Sequence, residues 1–306
     1  MMKILAATLT TGTRNKTFIQ CLESLMKQNL PDQTELSIVV VENNLASDKS
    51  VQSIIKKLRK RSPVHIYHEL ECKQGIPYAR NRALKLAGEL GFSHLAFIDD
   101  DAFAEQDWIA QLACTVRRYK CQAVTGPQKA IFPDDTSPMF RNAPVYHERK
   151  ISNGQKVSWG ATNNILMDVS FLHQKGLQFN TQLIHGGEDK ELFLRVTQSG
   201  ASIYWCQKAV VSEYISGERL KPQWAVRRTF RMGATGLMIE RCNKSRKKAV
   251  FTCLFKGSAY LTRGLLTLPL YGLASSKSPL ESLCDLSHGY GFYYGLFSGG
   301  TVRSYT

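Results

Sequence analysis

No C-x-x-C pair occurs among the eight cysteines (Cys21, Cys72, Cys114, Cys121, Cys206, Cys242, Cys253, Cys284), and most of them sit inside apolar runs. Zinc sites need short ligand spacings, and disulfide scaffolds need many cysteines in a small chain. The pattern therefore predicts free core thiols in a reducing cytoplasm. The first residues, MMKILAATLTTGTRNK, hold an apolar stretch too short and too rich in threonine for a signal peptide, with no small-residue cleavage site after it. They read as a first strand. Internal repeats and low-complexity tracts are missing. So are helix-turn-helix, zinc and RNA-recognition motifs, which argues against a nucleic-acid partner. Acidic residues are scarce: 25 Asp+Glu face 40 Lys+Arg, a net charge of +15. An excess of this size points to an anionic partner such as a nucleotide or lipid phosphate.

What is present suits a globular protein. The chain has 306 residues, 43% of them hydrophobic and 21% charged, enough for one large α/β domain with an appendage. Residues 3–9 form a buried-strand run that ends at a turn, Thr10-Thr11-Gly12. Phe18, Cys21, Leu22, Leu25 and Met26 then repeat at helical spacing. Residues 36–41 (LSIVVV) have the character of a parallel strand covered on both faces. A basic helix over about 50–60, a strand at 64–68, a helix at 77–90 and a strand at 94–98 follow. This alternation predicts a doubly wound sheet, with its ligands outside the carboxyl ends of the strands. Those ends are Thr8–Thr13, Glu42-Asn43-Asn44 and Asp99-Asp100-Asp101.

Two acidic segments carry the chemistry. In HLAFIDDDAF (94–103) three consecutive carboxylates follow a buried strand. They repel one another unless a cation joins them, and Mg²⁺ or Mn²⁺ takes carboxylate and phosphate oxygens. An extended backbone would aim Asp99 and Asp101 the same way. The plainer alternative is an acidic turn in which Asp107 caps the helix beginning at Trp108. In GGEDKELFLRVTQSG (186–200), Gly186-Gly187 permit close backbone approach, and Glu188 and Asp189 open a helix whose dipole favours anions. Leu192, Phe193 and Val196 give that helix its buried face.

Together these segments resemble glycosyltransferase family 2. In order, the chain shows SIVVVENN (37–44), GIPYARNRAL (75–84), FIDDD (97–101), WGATNNILM (159–167) and GGEDKELFLR (186–195), and the resemblance spans about residues 1–215. Within the family the chain looks most like bacterial exopolysaccharide enzymes of the succinoglycan glucosyltransferase type, whose tail SEYISGERLKPQWAVRRTFRMG (212–233) also resembles. The resemblance implies a GT-A fold, a Rossmann-like doubly wound mixed sheet, and inverting transfer from a nucleotide sugar, with UDP-glucose as the expected donor. It implies that Glu42 and Asn43 lie at the nucleobase, Glu42 standing where the family usually has Asp. It implies that Thr10 and Arg14 lie near base or phosphate, and that Arg80 and Asn81 approach the nucleotide. Asp101 would ligate the metal, and Asp99 the metal shell or ribose. Asp189 would be the general base, with Glu188 beside it. Many family members have a histidine that touches the metal, and Glu213 is the nearest match to it here.

Residues 217–248 hold ten Lys and Arg (Arg219, Lys221, Arg227, Arg228, Arg231, Arg241, Lys244, Arg246, Lys247, Lys248) against only Glu218 and Glu240. An apolar run, 249–274, follows. In it Lys256 and Arg263 share one helical face with Thr252 and Thr267, while Leu254, Leu261, Leu265 and Leu268 lie opposite. Two charges within the run and Pro269 speak against a spanning helix. The expectation is a catalytic domain over 1–215 and a basic, amphipathic tail over 216–306 lying in an anionic membrane interface, peripheral on the inner face of the cytoplasmic membrane. The rival is a helix packed on the catalytic domain. The aromatic, glycine-rich end at 288–300 suits an interface or a mobile end. The expected acceptor is lipid-linked or a saccharide, and 133–157 is the expected acceptor-facing loop. A sugar nucleotidyltransferase is the competing enzyme class, but LTTGTRNK is a poor phosphate loop.

Overall fold

The computed structural model describes residues 1–184, 186–242, 244–269 and 279–298. The chain forms two compact units. One comprises Met1–Lys129, Arg149–Ile184 and Glu188–Glu213; the other comprises Ala130–Glu148, His185–Gly187 and Tyr214–Thr306. The expected division near residue 215 is thus joined by two earlier segments that group with the second unit.

In chain order the first unit contains β1 (Met2–Thr10), α1 (Asn15–Met26), β2 (Thr34–Glu42), α2 (Lys49–Arg59), β3 (His65–Leu70), α3 (Ile76–Glu89), β4 (His94–Ile98), β5 (Ala102–Ala104), α4 (Trp108–Tyr119) and β6 (Ala123–Thr125). Strand β7 (Gln128–Ile131) runs out of this unit, and the helical turn α5 (Pro138–Arg141) belongs to the second. Then come β8 (Lys156–Val157), β9 (Asn164–Asp168), α6 (Val169–Gln174), α7 (Glu188–Gln198), β10 (Ile203–Trp205) and β11 (Val211–Tyr214). Eight strands form one mixed sheet in the order β3-β2-β1-β4-β9-β6-β10-β8; β5, β11 and β7 form a small second sheet. The first four strands of the large sheet run parallel, whereas β9 lies antiparallel between β4 and β6.

The two faces follow from the side-chain alternation of the strands. Ile4, Ala6, Ile38 and Val40 pack with Phe18, Ile55 and Leu112 of α1, α2 and α4. Their neighbours Leu5, Ala7, Val39 and Val41 pack on the other face with Ala79, Ala83, Leu172 and Phe193 of α3, α6 and α7. Asp48 caps α2, its Oδ1 accepting from the Ser50 N–H at 2.7 Å, and Asp168 caps α6 through the Phe171 N–H at 2.9 Å. Asp107 precedes α4 without capping it; its carboxylate accepts from Asn29 Nδ2 at 2.7 Å.

The second unit is helical: α8 (Pro222–Ala234), α9 (Gly236–Arg241), α10 (Arg246–Thr267) and α11 (Pro279–Ser298). Tyr146 stacks on Trp224 at 5.6 Å in a small core with Phe140, Ala225 and Leu280. Helix α10 packs against α11 and α9. Lys256 Nζ pairs with Glu240 at 2.5 Å, and the Arg263 guanidinium pairs with Asp285. The cationic stripe thus runs along the rim of the bundle, its charges paired and part-exposed. The expected aromatic end continues as helix through Ser298; residues 270–278 and 299–306 lie outside the described residues. Among those described, no helix is long and apolar enough to cross a membrane.

Candidate functional site

Strand β1 sits between β2 and β4, which brings three carboxyl ends together. Thr10 is level with Glu42, and its hydroxyl donates to Asp100 Oδ2 at 2.8 Å while accepting from the Gly12 N–H at 3.1 Å. After Ile98 the backbone turns at once, the Ala102 N–H donating to the Asp99 carbonyl at 3.2 Å. The extended geometry expected to align Asp99 with Asp101 is therefore not adopted. Instead Asp100 and Asp101 share a cation: Arg14 Nη1 lies 2.6 Å from Asp101 Oδ2 and 3.4 Å from Asp100 Oδ1. Strand β11 sets Glu213 opposite Ala102, where its Oε2 accepts from Gln128 Nε2 at 2.6 Å.

These acids act together on Arg14. Burial works against the Arg14 charge, yet Asp101, Asp100, Glu213 and Asp99 together raise its pKa above the usual value. Burial pushes the Asp100 carboxyl up, opposed by its bonds from Thr10 and Arg14. Among the described residues no three His, Cys, Asp or Glu side chains converge as a metal-holding group. The expected trio Asp99, Asp101 and Glu213 is thus not assembled as ligands. Arg14, expected near base or phosphate, stands among the acids as their counter-ion. The donor chemistry still suits a hard divalent cation, because every candidate atom is a carboxylate oxygen.

The second acidic segment begins after two glycines with φ of +117° and +90°, a backbone region closed to most side chains. Glu188, at the start of α7, is only 3% exposed, and its Oε1 pairs with the guanidinium of Arg80 from α3. Arg80 is buried as well, its Cζ 5.6 Å from the centre of the Phe179 ring. Glu188 Oε2 and Arg80 Nε have no hydrogen-bond partner. Burial raises the Glu188 pKa; Arg80 opposes this, and the neighbouring Asp189 adds to it. Asp189 is partly exposed, its Oδ1 accepting from the Lys190 N–H at 2.6 Å. The segment thus divides into one buried acid tied to an arginine and one accessible acid in the first turn of a helix.

The family model described as "Glycosyl transferase family 2" matches residues 10–174, more than half of the chain. The chain belongs to glycosyltransferase family 2. Among relatives, it is 27% identical over 224 residues to the succinoglycan biosynthesis protein ExoM of Rhizobium meliloti (strain 1021), covering 72% of this chain and 71% of that one. Among solved structures, S. aureus TarS 1–349 superposes with a TM-score of 0.54 at 16% identity, over 81% of this chain and 68% of that one. GalNAc-T7, crystallised with UDP, GalNAc and Mn²⁺, gives 0.55 at 14% identity over 70% of this chain and 44% of that one. These likenesses establish the GT-A fold, and family membership makes the protein a nucleotide-sugar-dependent glycosyltransferase.

Several residues that the family motifs single out serve as locks. Glu42 is fully buried, and its carboxylate accepts from the Asp48 N–H at 2.5 Å, Ser47 at 2.7 Å and Asn44 Nδ2 at 3.0 Å. It also meets His68 Nε2 at 3.0 Å. Glu42 therefore organises the loop after β2. Asn43 donates to the carbonyls of Glu71 and Lys73 and accepts from the Gly75 N–H at 2.8 Å, which ties α3 to the end of β2. Asn81 exchanges two bonds with the Phe179 backbone. Five residues beyond Gly75, Arg80 links the same helix to α7. The carboxyl end of β2 and the acidic start of α7 are thus joined through α3.

The sequence reading passed over three groups. Asp100, the middle residue of the DDD run, bonds both Thr10 and Arg14, contacts that strand alternation does not foretell. His68 reaches Glu42 across strand pairing, which no local pattern announces. Arg149 lies 4.1 Å from the Trp159 ring centre and 5.3 Å from that of Trp205, with Lys190 at 5.4 Å from Trp159. Two indoles therefore meet two cations, one of them, Lys190, from the first turn of α7.

Proposed function

We propose that this chain is an inverting, metal-assisted glucosyltransferase that moves glucose from UDP-glucose onto a lipid-linked or saccharide acceptor in exopolysaccharide assembly. The reading is supported by the family, by the likeness to a succinoglycan biosynthesis protein, and by structural neighbours crystallised with UDP. The observation that carries it is the division of labour at α7. Glu188 is buried and neutralised by Arg80, so its neighbour Asp189 is the accessible proton acceptor. Asp189 would take the proton of the acceptor hydroxyl as the oxygen attacks the anomeric carbon. A single in-line displacement inverts that centre and releases UDP. Asp99 and Asp101 would hold Mg²⁺ or Mn²⁺, with Glu213 nearby, and the ion would neutralise the diphosphate leaving group. Thr10, Arg14, Glu42 and Asn43 shape the nucleotide end of the crevice. The basic second unit would meet the inner face of the cytoplasmic membrane, where a lipid-linked acceptor is held.

The test is Asp189→Asn. The variant should fold and bind UDP as the parent does, with turnover lower by about 10²–10⁴-fold, the range for loss of a general base. Near-normal transfer by this variant would end the assignment.

A further inference from the structure

We propose that the outward face of α10 is a lipid-docking surface that embeds in the headgroup region of an anionic bilayer. The inference deepens the membrane reading above by naming the surface that makes contact. Helix α10 buries only small residues in its bundle: Ala249, Cys253, Gly257 and Gly264. A Cβ built on Gly289 of α11 would come within 2.8 Å of the Gly257 carbonyl oxygen, so the two helices meet backbone to backbone. Tyr260 stacks on His288 and Phe292 of α11, while four other bulky side chains of α10 point outward. Phe251 is 71% exposed, Phe255 68%, Leu265 62% and Leu266 66%. Ordinary soluble helices place charged and polar groups on that face.

The charge pattern identifies what covers it. Helix α10 contains no Asp or Glu, and Arg246, Lys247 and Lys248 are exposed in its first turn. Lys244, Ser245, Lys247, Lys248, Phe251 and Thr252 line one surface hollow, a combination that offers cations to a lipid phosphate and a ring to its acyl chains. Lys256 and Arg263, which would resist burial in lipid, are neutralised at the rim of the bundle by Glu240 and Asp285. A second copy of the chain is the rival occupant, but it would oppose one cationic face with another. The described helices are too short or too polar to span, so the contact lies in the plane of the interface.

The experiment compares the full chain with Phe251→Ser/Phe255→Ser and with Lys247→Gln/Lys248→Gln. Sedimentation is measured with vesicles of phosphatidylglycerol and phosphatidylcholine, and with phosphatidylcholine alone. The parent should sediment with the anionic vesicles and release as salt rises, because screening weakens the lysine contribution. Each double variant should partition at least about tenfold more weakly. All four positions are exposed, so circular dichroism and transfer to a soluble saccharide acceptor should be unchanged. Equal sedimentation by the phenylalanine variant overturns the proposal. So does a parent that does not bind anionic vesicles, or a parent dimer that this variant makes monomeric. Loss of transfer to the soluble acceptor in Asp189→Asn reports on the catalytic reading alone, so the two can fail separately.

Discussion

Arg80→Met should destabilise the protein in a pH-dependent way, and the structure gives both size and sign. Arg80 and Glu188 are buried together, and Glu188 Oε2 already lacks a hydrogen-bond partner. Removing one member of a buried ion pair leaves an uncompensated charge, typically costing about 3–5 kcal/mol. Glu188 can escape that cost only by taking up a proton. Its folded pKa is raised by burial in the parent, and Arg80 opposes the rise; without Arg80 the value climbs further. A carboxyl whose folded pKa exceeds its unfolded value, about 4.3, favours the folded state at low pH. That stability is lost as pH rises from the unfolded value through the folded one. The variant should thus be nearly as stable as the parent near pH 5, with the deficit widening by up to about 1.4 kcal/mol per pH unit toward its full size. Melting temperature would follow at roughly 2–4 °C per kcal/mol for a unit of this size. Thermal melts of the parent, Arg80→Met and Arg80→Met/Glu188→Gln across pH 5–8 form the assay. The double variant should lose the pH dependence, because it has no buried acid to titrate. A deficit in Arg80→Met that is constant across this range, or one that survives in the double variant, would refute the reasoning.

Asp101→Ala should weaken UDP affinity in saturating Mn²⁺ by at least about tenfold, since a charged acceptor is worth roughly 1.5–3 kcal/mol; unchanged affinity by calorimetry would remove Asp101 from the metal assignment. Glu42→Gln should reduce stability at neutral pH and flatten its acid dependence. Burial disfavours the Glu42 charge, but bonds from the Asp48 N–H, Ser47, Asn44 and His68 hold its pKa below the usual range. Its contribution is therefore present above about pH 4.3 and lost as pH falls through the depressed value; urea midpoints with parallel acid slopes in both proteins would contradict this. Asn164→Ala should cost roughly 3–5 kcal/mol. The fully buried amide accepts from Trp108 Nε1 at 2.8 Å and donates to the Pro127 and Ala209 carbonyls at 2.8 and 2.7 Å. A change in urea midpoint equivalent to less than about 1 kcal/mol would mean that water or rearrangement meets those groups.

The parallel half of the large sheet was legible because its signals are local. Residues 38–41 are β-branched throughout, and their alternate side chains enter the two separate cores. The mixed half beyond β4 was less legible. Its strands are short, β6 and β10 having three residues and β8 two, and their order depends on long-range pairing that spacing does not encode. At the site, the sequence points to the strand ends and the acidic start of α7, and the partners that individual side chains take there cannot be read from it. Carboxylates and amides at buried strand ends need partners within the fold. Glu42, Asn43 and Asn81 satisfy that need with neighbouring backbone and side chains. A motif marks such positions as fixed; only coordinates separate a residue fixed to hold a loop from one fixed to hold a ligand.

The tail shows the same limit in its electrostatics. Helical spacing correctly placed Lys256 and Arg263 on one face, and from that face alone a cationic surface follows. Their partners lie 16 and 22 residues away, Glu240 on α9 and Asp285 on α11. Separations of that kind arise from helix packing and leave no trace in the period of a single helix. Pairing at the seam neutralises the stripe while leaving it part-exposed. The glycines that let the helices approach leave Phe251 and Phe255 outside. The polar–apolar contrast along α10 is therefore legible in its period, and the neutralisation of its cations is not.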